Sequence, residues 1–282
     1  MKKLIFKKSG ELTNFIEWLD RFSGEISHDS LVIEIDTTEQ VFISKTYSDD
    51  KSLVRYSKIS FTDANLEISK KEEDLHSRVL VGIFLILPKF IKAIKTFATA
   101  DDFQMSIDYD MLMMGTSEKW CATSVTFKSK TLKMKIPGSS ISAGEMNPLS
   151  DEVFLNKVWV APDPISVTLS ADLLKNLVSI SDIFANADKM KNFMEFYTKN
   201  VDGTPMMFVR DPDENAYDYE LGPIEGDLKN DVVIPIYRDK FLLSVKNAYD
   251  ETKIIISTKT PNRVLIELKG GDTKTIIARV NR

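Results

Sequence analysis

The stretch Val232–Lys246, VVIPIYRDKFLLSVK, decides how this chain is read. Val232 to Ile236 is a short apolar run rich in β-branched residues, which predicts a strand. From Tyr237 the apolar residues change period: Phe241, Leu242, Val245 and Tyr249 recur at helical spacing, which predicts a helix over Tyr237–Tyr249. Strands at Lys253–Ser257, Val264–Leu268 and Thr275–Val280 follow.

The same order lies upstream. Arg78–Leu87 is an apolar strand running into Pro88, a residue suited to the first turn of a helix, and Phe90, Ile91, Ile94, Phe97 and Ala98 form one stripe behind it. Strands at Phe103–Tyr109, Lys119–Phe127 and Thr131–Ile136 come next. Each of these halves is preceded by a further strand, helix and group of strands. In the first, a strand at Lys3–Lys7 leads to a helix near Gly10–Phe22 with Leu12, Phe15, Ile16 and Leu19 on one face and Ser9 as its expected N-cap. Strands at Leu31–Asp36, Gln40–Thr46, Leu53–Phe61 and Leu66–Ser69 fill the interval. In the second, Ile165–Leu169 precedes a helix capped by Ser170 with Leu173, Leu177, Ile180 and Phe184 as its stripe, then strands at Phe193–Lys199, Pro205–Val209 and Tyr217–Leu221.

The expectation is therefore an α+β chain with two tandem domains, each with two helices packed on antiparallel sheets. The predicted limits are 1–137 and 164–282, joined by a connector over 138–163 that carries Gly, Ser and Pro without a clear period. A length of 282 residues suits two such cores.

Composition narrows the function. With 43% hydrophobic and 28% charged residues the chain reads as a soluble globular protein. Its most apolar run, Val79–Pro88, is far shorter than the roughly 20 residues of a membrane helix, so no membrane partner and a cytoplasmic location are expected. The lone Cys121 has no Cys or His neighbour in sequence and is expected to be a buried, inert thiol. His28 and His76 lie in polar segments away from any candidate nucleophile and are expected to be solvated loop residues. Clusters such as Asp101-Asp102 and Asp211–Glu214 fall at turns, where turn chemistry accounts for them. The sequence contains no phosphate-binding glycine loop, dinucleotide fingerprint, zinc-protease helix or nucleophile elbow. No enzymatic activity, cofactor or metal is expected.

A net charge of −5 argues against a protein that coats nucleic acid with its whole surface. Positive charge is nevertheless segregated. On the helix after Pro88, Lys89, Lys92 and Lys95 lie away from the apolar stripe with no acid among them, and the matching helix of the second half has Arg238, Lys240 and Lys246 against Asp239. Solvated lysines are the bland reading of either helix alone; the recurrence at one topological position points to a phosphate backbone.

In this two-unit plan, and most specifically in Val232–Lys246 with the strands Lys253–Ser257 and Val264–Leu268, the chain resembles the DNA sliding clamps, among them proliferating cell nuclear antigen and bacteriophage processivity clamps. The resemblance implies a ring of subunits, a homotrimer by analogy, that encircles duplex DNA and tethers a replicative polymerase after loading by an ATPase, in a bacterial host's cytoplasm if phage-encoded. It implies DNA-facing positions at Lys89, Lys92, Lys95, Lys175, Arg238, Lys240 and Lys246. Glu11, Glu17 and Asp20 on the first helix, and Asp172 and Asp182 on the third, depart from a uniformly basic lining. The resemblance also implies an apolar partner pocket beside the connector and the last strand, for which Met146, Leu149, Val153, Phe154, Leu155, Pro261, Ile276 and Ala278 are candidates, although the connector residues would equally serve to pin a long loop. Subunits would join through edge strands, one formed by Thr131, Leu132, Lys133, Met134, Lys135 and Ile136, the other by Tyr217, Asp218, Tyr219, Glu220 and Leu221. Two alternatives stay open: an open monomeric or dimeric processivity factor of the viral kind, and a structural adaptor that uses the fold for protein contacts alone.

Overall fold

The computed structural model describes residues 2–22, 30–48, 52–71, 78–84, 87–114, 117–137, 154–183, 192–212, 217–248, 250–259, 263–268 and 272–280. The chain forms two compact units, Met1–Asp49 with Tyr56–Leu149, and Asp50–Arg55 with Ser150–Arg282.

The first unit contains β1 (Lys2–Lys8), α1 (Thr13–Asp20), β2 (Ser30–Asp36), β3 (Val41–Tyr47), most of β4 (Leu53–Ser60), β5 (Leu66–Lys71), β6 (Arg78–Phe84), α2 (Leu87–Ala98), β7 (Gln104–Met114), β8 (Ser117–Lys128) and β9 (Lys133–Pro137). Its strands are ordered β4-β3-β2-β6-β8-β7-β1-β5, with β9 beside β8. The β6–β8 pair is parallel, through Leu80 and Cys121, while β7 and β8 form a long antiparallel hairpin. Aromatic rings fill the space between sheet and helices: Phe42 packs on Phe6, Phe15 and Phe61 at centroid separations of 5.4, 5.0 and 4.7 Å. Each such ring, once fully buried, contributes about 1.5–3 kcal/mol. Trp18 Nε1, buried with them, donates to Ser57 Oγ at 3.0 Å, which removes the penalty of an unmet donor.

The second unit contains a single π-helical turn (Phe154–Val158), β10 (Pro164–Leu169), α3 (Ala171–Ile183), β11 (Phe193–Val201), β12 (Thr204–Arg210), β13 (Asp218–Pro223), β14 (Val233–Tyr237), α4 (Arg238–Ser244), β15 (Thr252–Ser257), β16 (Arg263–Leu268) and β17 (Thr273–Ala278). Its strands pair in the orders β10-β15-β16-β17 and β13-β12-β11-β14. The turn between β11 and β12 is Asp202-Gly203, both at positive φ (49° and 87°), the two-residue hairpin geometry that matches strand twist. The core is mainly aliphatic: Ile254, Ile256, Val264, Ile266 and Ile277 meet Leu174, Leu177 and Phe241 from the helices.

The fold class expected from the sequence is the one found, helices on antiparallel sheets in each unit. Several element limits differ for physical reasons. The first helix begins at Thr13 with Leu12 at the N-cap position, and Ser9 instead donates its backbone N–H to the Asn65 carbonyl. The last helix is seven residues long, ending at Ser244 where the expected one ran to Tyr249. The Lys246 and Ala248 amides bond to carbonyls three residues back, and Asn247 turns the chain at φ 57°, a conformation asparagine tolerates. On α3 the Ser170 cap is present, its Oγ accepting from Leu173 N at 3.3 Å. Its buried stripe, however, is Leu174, Leu177 and Ser181, one residue round from expectation, leaving Leu173 exposed.

Candidate nucleic-acid interface

Helix α2 carries the clearest positive surface. Phe90, Ile91, Ala93, Ile94 and Phe97 point into the first unit's core, so the remaining positions must face solvent: Lys89, Lys92, Lys95, Thr96 and Thr99 are all exposed. The three lysines, three residues apart, rise about 4.5 Å each along the axis and span about 9 Å. No acidic residue lies within Leu87–Ala98. Lys95 in the last turn suits the helix dipole, whereas Lys89 in the first turn opposes it. From a distant strand, Lys8 Nζ donates to the Ala98 carbonyl at 2.9 Å and holds the helix's C-terminal end.

Helix α4 sits in the second unit on the same plan but presents no comparable surface. Arg238 is 1% exposed: its Nη2 donates to Asp211 Oδ2 and, at 2.6 Å, to the Phe193 carbonyl, while Nη1 donates to the Ser181 carbonyl at 3.2 Å. The ring of Tyr217 lies 5.9 Å from the guanidinium, and burial raises that phenol's pKa. Lys240 is 9% exposed, and Lys246, beyond the helix end, is half-buried. The sequence expectation that Arg238 and Lys240 face DNA is corrected: a buried carboxylate at Asp211 draws Arg238 inward, and Lys240 lies on the buried side of a helix too short to follow the assumed wheel. Arg55 caps this helix much as Lys8 caps α2, its Nη2 donating to the Leu243 carbonyl at 2.5 Å and its Nε to Thr275 Oγ1 at 3.3 Å. On α3, Lys175 is exposed together with Asp172 and Asp182.

The candidate partner pocket is dispersed. Met146, Leu149, Val153 and Pro261 lie outside the described residues, as does the side chain of Leu155. Phe154 and Ile276 are buried, which corrects their assignment to a partner-facing surface, and Ala278 is half-buried. The π-helical turn is closed by Trp159 N donating to the Phe154 carbonyl at 2.6 Å, and it is held to the rest of the second unit by Arg263 Nη1 donating to the Val158 carbonyl at 3.0 Å and by Lys274 Nζ, 4.9 Å from the Trp159 ring.

Both candidate interface strands lie at the margin of their sheets. Among the described residues β9 pairs with β8 and β13 with β12. Thr131, Leu132, Lys133 and Lys135 are exposed, and Met134 and Ile136 half-buried; Asp218 and Glu220 are exposed, Tyr217 and Tyr219 half-buried and Leu221 buried. Cys121 is buried, which raises its thiol pKa. Among the described residues no group of three or more His, Cys, Asp or Glu is arranged to hold a metal, and no helix is long and apolar enough to cross a membrane. His28 and His76 lie outside those residues.

This arrangement of helices and sheets is the sliding-clamp fold. In a complex of PCNA2 and PCNA3 from Sulfolobus tokodaii, one chain superposes with a TM-score of 0.58 at 12% identity, the match covering 98% of both chains. The A. fulgidus PCNA structure bound to the C-terminal region of FEN-1 gives a TM-score of 0.62 at 12% identity over 100% of this chain and 99% of the other. The DNA polymerase III subunit beta from Pseudomonas aeruginosa matches with a TM-score of 0.62 at 12% identity, covering 100% of this chain and 67% of that one. No protein-family model and no curated protein sequence matches the chain.

Proposed function

We propose that this protein is a DNA sliding clamp, a non-enzymatic ring that encircles duplex DNA and tethers a replicative polymerase. The observation that carries the reading is the exposed lysine row of α2 on a chain whose whole length takes the clamp fold. A closed ring is held by topology, so its cations need only weak, sliding contacts with phosphates and no base-specific ones. Processivity follows from effective concentration: a polymerase bound to a ring that cannot leave rebinds before diffusing away. The partners this function requires are duplex DNA, a polymerase, an ATPase loader and further copies of the chain, three by analogy, in the cytoplasm. Lys89, Lys92, Lys95 and Lys175 are the DNA-facing cations, and β9 and β13 the subunit-joining edges.

The open processivity factor is supported by a different observation, the burial of Arg238 and Lys240, which leaves α4 without an exposed row of cations to match that of α2. Solution mass by native mass spectrometry across a concentration series separates the two. A closed trimer predicts three times 32.0 kDa, about 96 kDa, and a monomer at every concentration would remove the ring.

A further inference from the structure

The two edge strands carry opposite charge in the same alternation. In β9, Lys133 and Lys135 project to one face while Met134 and Ile136 pack on the first unit's core. In β13, Asp218 and Glu220 project outward while Tyr219 and Leu221 pack on the second unit's core. A strand added to an open edge continues both faces of the sheet, so pairing these edges between two copies sets lysines against acids on one face and apolar residues together on the other. Both directions of pairing satisfy the charges: an antiparallel pair sets Lys133 opposite Glu220 and Lys135 opposite Asp218, a parallel pair exchanges the acids.

What separates the directions is one exposed leucine and one groove. Leu132 precedes β9 and is 47% exposed although its backbone is fixed, its N–H donating to Ser129 Oγ at 3.2 Å and its carbonyl accepting from Ser129 N–H at 2.8 Å. At the far end of β13, Leu173 of α3, Leu221, Ile224 and Val167 line an open groove of about 440 Å³. Leu173 is itself 37% exposed, and Tyr219 Oη donates to its carbonyl at 3.5 Å, which sets α3 over the apolar face of β13. Antiparallel pairing sets Leu132 opposite Leu221, at the groove; parallel pairing carries it to Tyr217, at the other end of the strand.

We propose that the occupant of this groove is Leu132 of a second copy, delivered by antiparallel pairing of β9 with β13 in the register Lys133–Glu220 and Lys135–Asp218. This rests on the ring reading and specifies its joint. The contact is heterologous, one surface of each copy meeting a different surface of the next, which closes into a ring or grows as a filament and leaves both ends of a lone dimer unfilled. The competing ion pair of Lys135 is long, its Nζ 3.9 Å from Asp108 Oδ2, and Asp218 accepts from the Tyr197 hydroxyl through one carboxylate oxygen while staying exposed.

The test compares two double-cysteine chains under mild oxidation, with the wild-type chain and its buried Cys121 as control. Directly opposed residues on paired strands lie within disulfide reach. The Lys133→Cys/Glu220→Cys chain is expected to form covalent multimers on a non-reducing gel at least ten times more than Lys133→Cys/Asp218→Cys. Equal yields, or a preference for the second chain, overturn the register. As a second measurement that needs no cysteine, Lys133→Glu is expected to raise the dissociation midpoint at least fivefold and Lys133→Glu/Glu220→Lys to restore it; Leu132→Asp is expected to raise it at least tenfold and Leu132→Met to leave it within twofold. No rescue by the charge swap, together with no effect of Leu132→Asp, overturns the inference. Wild-type chain that stays monomeric at all concentrations defeats the ring itself, whereas wild-type multimers without the Lys133–Glu220 link defeat this joint alone.

Discussion

Removing Asp211 is expected to destabilise the second unit severely while leaving the proposed DNA surface intact. Arg238 is enclosed, with its guanidinium bonded to Asp211 and to the carbonyls of Phe193 and Ser181. Asp211→Ala keeps the carbonyl bonds but strands a charge that is 1% exposed, and breaking a buried pair from one side costs about 3–5 kcal/mol. Against a typical total of about 5–15 kcal/mol this is a large fraction. With a urea dependence of about 1–3 kcal/mol per molar, the midpoint falls by at least about 1 M. The assay needs a reporter confined to one unit. Trp18 and Trp120 lie in the first unit and Trp159 in the second, so Trp18→Phe/Trp120→Phe leaves fluorescence from the second unit alone. Arg238→Met/Asp211→Ala, with neither charge left, is expected to recover part of the loss, a coupling of about 0.5–3 kcal/mol. The reasoning is refuted if Arg238→Met lowers the unfolding free energy by less than about 0.5 kcal/mol yet weakens DNA association, because Arg238 would then be a surface cation, as the helical wheel suggests.

Three further outcomes follow from the same geometry. Reversing Lys89, Lys92 and Lys95 to Glu is expected to leave the unfolding midpoint nearly unchanged and to lower the slope of log affinity against log salt by about 2.7 for each α2 that contacts the duplex, measured by fluorescence anisotropy on a labelled duplex. Cys121, buried and with its pKa raised by that burial, is expected to resist alkylation in the native chain and to react on unfolding, followed by intact mass. The Lys253 ammonium, 3.1 Å away, and then the Ser166 hydroxyl hold the Glu225 carboxyl below its usual pKa. The stabilisation from this depressed group is therefore present above the unfolded value of about 4.3 and fades as pH falls through the lower folded value; Lys253→Gln should flatten the acid limb of a midpoint-versus-pH curve.

The order of elements was legible in the sequence because period and punctuation were strong where they mattered. The run Arg78–Ala98 changes from a continuous apolar strand to a helical stripe within a few residues of Pro88, and α2 has the buried and exposed faces its spacing implies. The second basic helix was misleading because a wheel assigns direction by angle alone. Whether Arg238 turns inward depends on Asp211, 27 residues upstream, and nothing in the local pattern marks that carboxylate as buried. The stripe of α3 was one residue out because Leu173 and Leu174 are adjacent and equally apolar, and because Ser181, buried beneath Arg238, has no hydrophobic signature. The same error hid the groove, since Leu173 was counted as core. Arg55 was invisible for a related reason: its partners Leu243 and Thr275 are 188 and 220 residues away.

The claim that the chain encircles DNA is tested most directly by retention on circular against linear duplex at high salt. Rings allowed to dissociate and reassemble in the presence of nicked plasmid, then closed by the Lys133→Cys/Glu220→Cys link, would be passed over a sizing column before and after a restriction enzyme opens the plasmid. A topological clamp predicts protein that travels with the circle and is released once an end exists. Protein that leaves circle and linear duplex alike as salt rises would contradict encirclement and assign the α2 lysines to ordinary charge-driven binding.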